Sequence, residues 1–341
     1  MKPKDKLPMK RLSFIFILTF IFTVCHGQQF TIKFASIAPE GSTWMNVMKE
    51  LDAAVQKESG GRIKFRMYPS GVQGDEKTVI RKMGVGQLHA AGFTGVGMGE
   101  IAPKVRILDT PFLIRSSEEA DNLYQMFNNE MEQAFEANGY VLLGWAEVGF
   151  VYVFSNSPIN KPEDIKQLKM WVWDGDPVAE TSFRALDMKP IPLSFDNVRT
   201  SLQTGLINAF YTTPYAAIAL QWYTQAKYMV DFPLTCSAGA VLLSKKYFDT
   251  MPKDLQDILL RNGRMYMKKL TEAGRIDNKN SLTELKKRGI IFTNTNEKET
   301  QYYIKAGITA RQMLVGKMYD EDFMKRVEKA AEDFRQSAKK K

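Results

Sequence analysis

Apolar positions along this chain alternate between a period of two and a period near 3.6, which reads as strand and helix in turn. Phe30, Ile32 and Phe34 share one face of a strand. From Ser42 to Gly60-Gly61, Trp44, Val47, Met48, Leu51, Ala54 and Val55 recur at helical spacing, and Ile63, Phe65 and Met67 then alternate again, completing a β-α-β unit. The pattern predicts a helix over 75–83, strands near 88–93 and 140–148, a short helix after Asn160, and a strand over 168–173. Asp176-Pro177 suits an N-cap and first helical residue, and Ser194 opens a helix that Gly205 closes before a strand over 207–211. Residues 252–288 read as one helix about 50 Å long at ~1.5 Å per residue, enough to run across two lobes. Asn262-Gly263 is a candidate bend in it. Residues 301–317 and 320–335 are closing amphipathic helices, and the class is α/β throughout.

Composition narrows the setting. Residues 1–27 have the form of an export signal: Lys2, Lys4, Lys6, Lys10 and Arg11 precede an apolar run from Leu12 to Val24, and a cut is expected near Gly27. That run is shorter than the ~20 residues a membrane span needs, so a cleaved leader and a periplasmic protein are expected. Cys25 is the alternative lipidation point of a lipoprotein signal, against which the bulky Val24 before it argues. Without the leader's five basic residues and one Asp the formal charge falls from +9 to +5, with Arg335 and Lys339-Lys340-Lys341 forming a basic end. No aromatic residues interleave with it, so nucleic acid is not an expected partner. About 310 residues remain, with room for two lobes of ordinary domain size.

One cysteine, Cys236, and one histidine, His89, remain beyond residue 27. They exclude an intrachain disulfide, a Cys/His metal cluster and a Ser-His-Asp triad unless His89 serves, so no metal and no cofactor are expected. His89 reads as a packed or surface imidazole and Cys236 as a small core residue. The run Gly92-Phe93-Thr94-Gly95-Val96-Gly97-Met98-Gly99 lacks the order of a nucleotide loop and fits a flexible strand end or a close backbone approach to a cleft. The pairs Glu118-Glu119 and Glu321-Asp322 lie in helical contexts that read as exposed, so an enzyme is not expected.

Ordered motifs along nearly the whole chain carry a resemblance. They are Phe34-Ala35-Ser36 with Gly41 and Trp44, Tyr68-Pro69-Ser70-Gly71 with Gly74-Asp75-Glu76, Gly86-Gln87-Leu88, and Pro111-Phe112-Leu113. Ser155-Asn156, Ile159 to Asp164, Leu168-Lys169, Gln203-Thr204-Gly205 and Met251 to Leu255 follow in order. Together they resemble the DctP-type extracytoplasmic solute receptors of TRAP transporters. The resemblance implies a two-lobe α/β periplasmic-binding fold, type II-like and of the Venus-flytrap kind, with a long helix spanning both lobes. It also implies a receptor without covalent chemistry that closes on a small molecule and delivers it to membrane permease subunits. By the same analogy lobe I holds 28–149 plus 236–275, and lobe II holds 150–235 plus 276–341.

The chain departs from that family where ligands are gripped. The family's arginine after a Leu-Lys-aliphatic start forks onto a ligand carboxylate, and here Trp171 stands in its place; Val151 falls where acid-sugar receptors carry a second arginine. An indole offers one N–H and an apolar face instead of two parallel charge-assisted bonds. Trp171 and Trp173 share a strand face, and with Phe150, Tyr152, Phe210 and Tyr211 they are candidates to line the site, with Thr94, Thr212 and Thr213 as polar fixers. Phe150 and Tyr152 alternate with Val151 and Val153, so one set alone can face the cleft. The expected ligand is hydrophobic, aromatic or neutral, because burying an unpaired carboxylate is costly whereas ~200 Å² of apolar contact supplies about 5 kcal/mol. An aromatic box with Asp174 or Asp176 also suits a cation. A branch of the family with Trp-Val-Trp here implies a helical-repeat periplasmic lipoprotein as a further partner. The alternatives are a periplasmic sensor with the same fold, and a receptor for an organic acid held by residues outside this set.

Overall fold

The computed structural model describes residues 28–339; the expected leader, Cys25 and the last two lysines lie outside the described residues. The first lobe begins with β1 (Phe30–Ala35), α1 (Thr43–Glu58), β2 (Ile63–Tyr68), α2 (Glu76–Gly84), β3 (Ala90–Thr94), α3 (Gly95–Ile101), α4 (Ser117–Ala137) and β4 (Tyr140–Trp145). The second follows with β5 (Gly149–Ser155), α5 (Pro162–Ile165), β6 (Trp171–Trp173), α6 (Pro177–Arg184), β7 (Ile191–Leu193), α7 (Val198–Thr204), β8 (Ala209–Thr212), α8 (Pro214–Ala219), β9 (Tyr228–Val230) and β10 (Thr235–Ser237). The chain re-enters the first lobe with β11 (Gly239–Ser244) and α9 (Lys245–Phe248) and crosses both lobes as α10 (Lys253–Lys287). It ends with β12 (Ile291–Thr293), α11 (Glu297–Met313) and α12 (Glu321–Lys339).

Each lobe is built on its own sheet. The first has the order β2-β1-β3-β11-β4, parallel where β1 meets β2 and β3 and antiparallel where β11 meets β3 and β4. The second has the order β10-β5-β9-β12 with β8 also on β5, and β6 pairs in parallel with β7. Apolar alternation in β1 buries Phe30, Ile32 and Phe34 against Val47, Met48, Leu51 and Val55 of α1, as the two periodicities require. Local capping fixes where helices begin: Ser42 accepts from Met45 N–H, Asp75 from Thr78 N–H, and Asp176 from Val178 and Ala179 N–H.

Residues 252–288 do form one helix. α10 packs on α1 and β4 in the first lobe and on α8 and β5 in the second, so it joins them as one strut. Asn262-Gly263, the candidate bend, lies inside this continuous helix at a place of close packing, since a Cβ on Gly263 would lie 2.8 Å from the Leu143 carbonyl oxygen. The expected assignment of 276–341 to the second lobe needs correction. α11 packs on α6 there, but α12 lies on α4, and its Phe323, Met324 and Val327 belong to the first lobe's core. Leu113, the last residue of the Pro111-Phe112-Leu113 motif, and a 21-residue α4, read only as a pair of helical acids, supply the surface that receives it, whereas Phe112 packs with Tyr303 and Ala306 of α11. Glu119 is buried beside Arg335 of α12, not exposed as its position suggested.

Two chain crossings between the sheets run side by side. Ala146 N–H donates to Gly239 O at 2.8 Å and Val148 N–H to Ser237 O at 3.0 Å. A Cβ on Gly239 would stand 2.3 Å from the Ala146 oxygen, which is backbone and cannot step aside. Gly239→Ala is therefore expected to cost about 1–3 kcal/mol in urea unfolding, through overpacking. Gly84→Ala, with nothing within 4 Å of the new methyl, is expected to leave stability unchanged or raise it. Equal midpoints for the two variants would contradict the tight crossing.

Candidate ligand-binding site

A cavity of about 210 Å³ lies between the lobes. The first lobe contributes the loop after β1, the start of α1, the β3–α3 junction, Arg106 and Asp109; the second contributes β6, the start of α6, Phe195, the end of β8 and Trp222. α10 closes one side with Leu270, Gly274, Asp277 and Asn278.

The second-lobe wall is a nest of rings. Trp171 stacks on Tyr211 with centroids 5.2 Å apart and meets Trp222 edge-on at 5.3 Å. Trp173 stacks on Phe195 at 5.1 Å, and Phe195 in turn leans on Trp222 at 5.3 Å. Strand alternation produces this: Trp171 and Trp173 share one side of β6, while Met170 and Val172 pack into a different cluster. The single indole N–H of Trp171 donates to Leu193 O at 3.0 Å, holding β7 in place. What Trp171 presents to the cavity is therefore carbon.

Of the residues the sequence singled out, Trp171, Trp173, Tyr211, Thr94, Thr212 and Thr213 border the cavity. Phe150, Tyr152 and Phe210 do not. Alternation along β5 turns Val151 to the cavity, so Phe150 packs on the first lobe's core and Tyr152 on the aromatic cluster of the second. Phe210 lies opposite Phe154 in the β5/β8 ladder, and their rings stack at 5.1 Å on the side away from Tyr211. The polar fixers are also partly engaged. Thr94 caps α3 and donates to Glu76 Oε2 at 2.9 Å, and Thr213 caps α8. His89 stacks on Tyr247 away from the cavity and Cys236 is fully buried.

Sequence reasoning missed Arg106 and Asp109, and named Asp176 only as a helix cap and as a partner for a cation. Arg106, 4% exposed, donates from Nη2 to Asp176 Oδ1 at 2.6 Å across the lobe boundary, and its Nε lies 3.4 Å from Asp109 Oδ2. Asp176 is the predicted N-cap of α6, but a buried one. Asp109 Oδ1 accepts from Ala238 N–H at 2.7 Å, while its Oδ2 and the Arg106 Nε have no hydrogen-bond partner among the described residues. Burial opposes the charge on Arg106, but Asp176 and Asp109 outweigh it and strengthen its hold on the proton. Burial pushes the Asp109 carboxyl up to about 6, with Arg106 pulling the other way. A lone Arg and Asp three apart inside Val105-Arg106-Ile107-Leu108-Asp109 was the available signal, since charges framed by apolar residues must find partners. Phe195 and Trp222 were missed because nothing in their local pattern sets them apart.

The glycine run explains how these groups fit. A Cβ on Gly95 would fall 1.8 Å from Asp109 Oδ2, and one on Gly99 would fall 2.6 Å from Arg106 Cγ. Gly97 leaves room for Glu76, which accepts from Gly97 N–H at 2.6 Å and Thr94 N–H at 2.7 Å at the start of α3. Among the described residues no group of three or more His, Cys, Asp or Glu is placed to hold a metal, and no helix is long and apolar enough to cross a membrane.

The Bacterial extracellular solute-binding protein, family 7 (DctP) model matches residues 34–320. A solute-binding protein of Verminephrobacter eiseniae is 25% identical over 248 residues, covering 72% of this chain and 73% of that one. The sugar acid binding protein DctPAm of Advenella mimigardefordensis, solved with galactonate, has a TM-score of 0.83 at 20% identity, covering 90% of this chain and 99% of that one. A TRAP periplasmic solute binding protein of Pseudomonas putida F1 with bound D-glucuronate has a TM-score of 0.81 at 22% identity, covering 87% and 96%. At these identities the two structures show a shared fold.

Burial pushes Glu76 up to about 7 from its ordinary 4.5, against its hydrogen bonds from Thr94 and Gly97. Between those values the unfolded chain binds fewer protons than the folded one, so this group's stabilisation is complete below about pH 4.5 and is lost as pH rises through about 7. Glu76→Gln does not titrate. The stability gap between wild type and variant is expected to shrink between about pH 4 and about pH 8 in urea unfolding, and a constant gap would contradict this environment.

Proposed function

The chain belongs to the DctP family, the bacterial extracellular solute-binding proteins of family 7, and from that premise we propose that its interlobe cavity holds a small molecule with an apolar or aromatic body and no carboxylate. It is a binding protein, not an enzyme. The observation that carries the ligand class is the state of Arg106. It is the one guanidinium on the cavity lining among the described residues, and Asp176 and Asp109 already occupy it. An organic acid entering here would meet a guanidinium whose charge two carboxylates already offset, and a forked grip on it would have to break the buried pair of Nη2 with Asp176, a change costing about 3–5 kcal/mol when one partner is left alone. The wall of Trp171, Tyr211, Trp173, Phe195 and Trp222 offers contact area instead.

Delivery of the ligand to TRAP-type permease subunits after export is part of the same proposal and rests on the family. A helical-repeat lipoprotein partner rests on the Trp171-Val172-Trp173 resemblance alone. A receptor for organic acids is the second reading, favoured by the galactonate and D-glucuronate named for two structures of the same fold.

Calorimetric titration separates the two. Galactonate and D-glucuronate are expected to give no saturable heat with the wild-type protein, whereas micromolar binding of either would overturn the proposal. Trp171→Arg is expected to weaken the ligand that copurifies with the protein by about tenfold or more, the loss of one large ring contact. Unchanged affinity in a variant with an unchanged melting temperature would remove Trp171 from the site.

A further inference from the structure

The cavity is short of positive charge. Among the described residues four carboxylates border it, those of Asp109, Glu147, Asp176 and Asp277, against the single guanidinium of Arg106. Glu147 is neutralised from behind by Arg275, whose Nη2 lies 2.6 Å away. Arg106 is shared between Asp176 and Asp109, so that trio keeps one uncompensated negative charge although its members are 4–7% exposed. Asp277, on α10, takes a hydrogen bond from the Thr43 hydroxyl and has no cation partner among the described residues. Asp109 Oδ2 is buried at the cavity edge without a hydrogen bond.

Buried negative charge left unbalanced is unfavourable, and a positive group brought by the ligand relieves it. The opposite wall suits the same group, because the faces of indole and phenol rings attract cations. We propose that the ligand carries one positive charge, an ammonium or amidinium group on an apolar body, seated between the aromatic wall and the carboxylates of Asp176, Asp109 and Asp277. This rests on the reading of the interlobe cavity as the ligand site and sharpens its chemical class. Burial pushes the Asp109 carboxyl up to about 6, and a cation set beside it would draw it down again. Lys77 comes close from the first lobe, but it lies against Gly175 outside the lining, so no lysine balances the cavity from within.

The test holds the body fixed and changes only the head. Tryptamine, tryptophol and indole-3-acetate share an indole and carry a positive, neutral and negative head at neutral pH, and each is titrated calorimetrically into the mature protein freed of copurified ligand. Tryptamine is expected to bind about tenfold more tightly than tryptophol, with indole-3-acetate weakest. Asp277→Asn, which keeps an acceptor for Thr43, is expected to shrink the tryptamine advantage by about fivefold while tryptophol is unaffected. If tryptophol binds as tightly as tryptamine, the charged head is overturned and the apolar seat stands. Tightest binding of indole-3-acetate overturns both, and saturable binding of none of the three overturns the aromatic seat. An unchanged tryptamine preference in an Asp277→Asn protein of unchanged melting temperature overturns the role of Asp277.

Discussion

Arg106 is held by a carboxylate from each lobe, and the character of the cavity follows from that arrangement. Asp109 comes from its own lobe and Asp176 from the other, so the guanidinium is at once a fastener across the cleft and a charge denied to ligands. The pair is buried, where losing either partner leaves a charge without solvent or counter-ion. Room for it exists because Gly95 and Gly99 bring α3 within contact distance of the Arg106 stem and the Asp109 carboxylate. On β6 the cavity meets the indole of Trp171, whose N–H is tied to Leu193 O.

The frame around this pair is stiff where it crosses and closely packed where it closes. α10 contacts both sheets along one continuous helix, and the two adjacent crossings at Ala146–Val148 and Ser237–Gly239 are hydrogen-bonded to each other. Thr43 N–H donates to the Tyr215 hydroxyl at 3.2 Å, a second link between the start of α1 and the second lobe, and Tyr215 N–H donates to Asn278 of α10 at 3.1 Å. Opening the cleft must break these contacts together with the Arg106–Asp176 pair.

Much of this was legible in the residues. The strand and helix periods place β1, α1, β2, α6 and α10, and the helix starts at Ser42 and Asp176 stand where the sequence puts them. Six of nine expected lining residues border the cavity. The failures have a common cause. Phe150, Tyr152 and Phe210 sit on strands whose two faces are both apolar, so composition cannot say which face turns inward until the partner strand is known. Arg106 and Asp109 are conspicuous only once Asp176, seventy residues away, is seen beside them. The placement of α12 on the first lobe was equally hidden, because an amphipathic stripe states that a face is covered and not by what.

The most direct measurement is a crystal structure of the protein with the ligand it retains through purification. The account requires an apolar or aromatic body lying against Trp171 and Trp222 while the Arg106 guanidinium stays on Asp176. A ligand carboxylate bound to Arg106, with Asp176 displaced from it, would contradict the account.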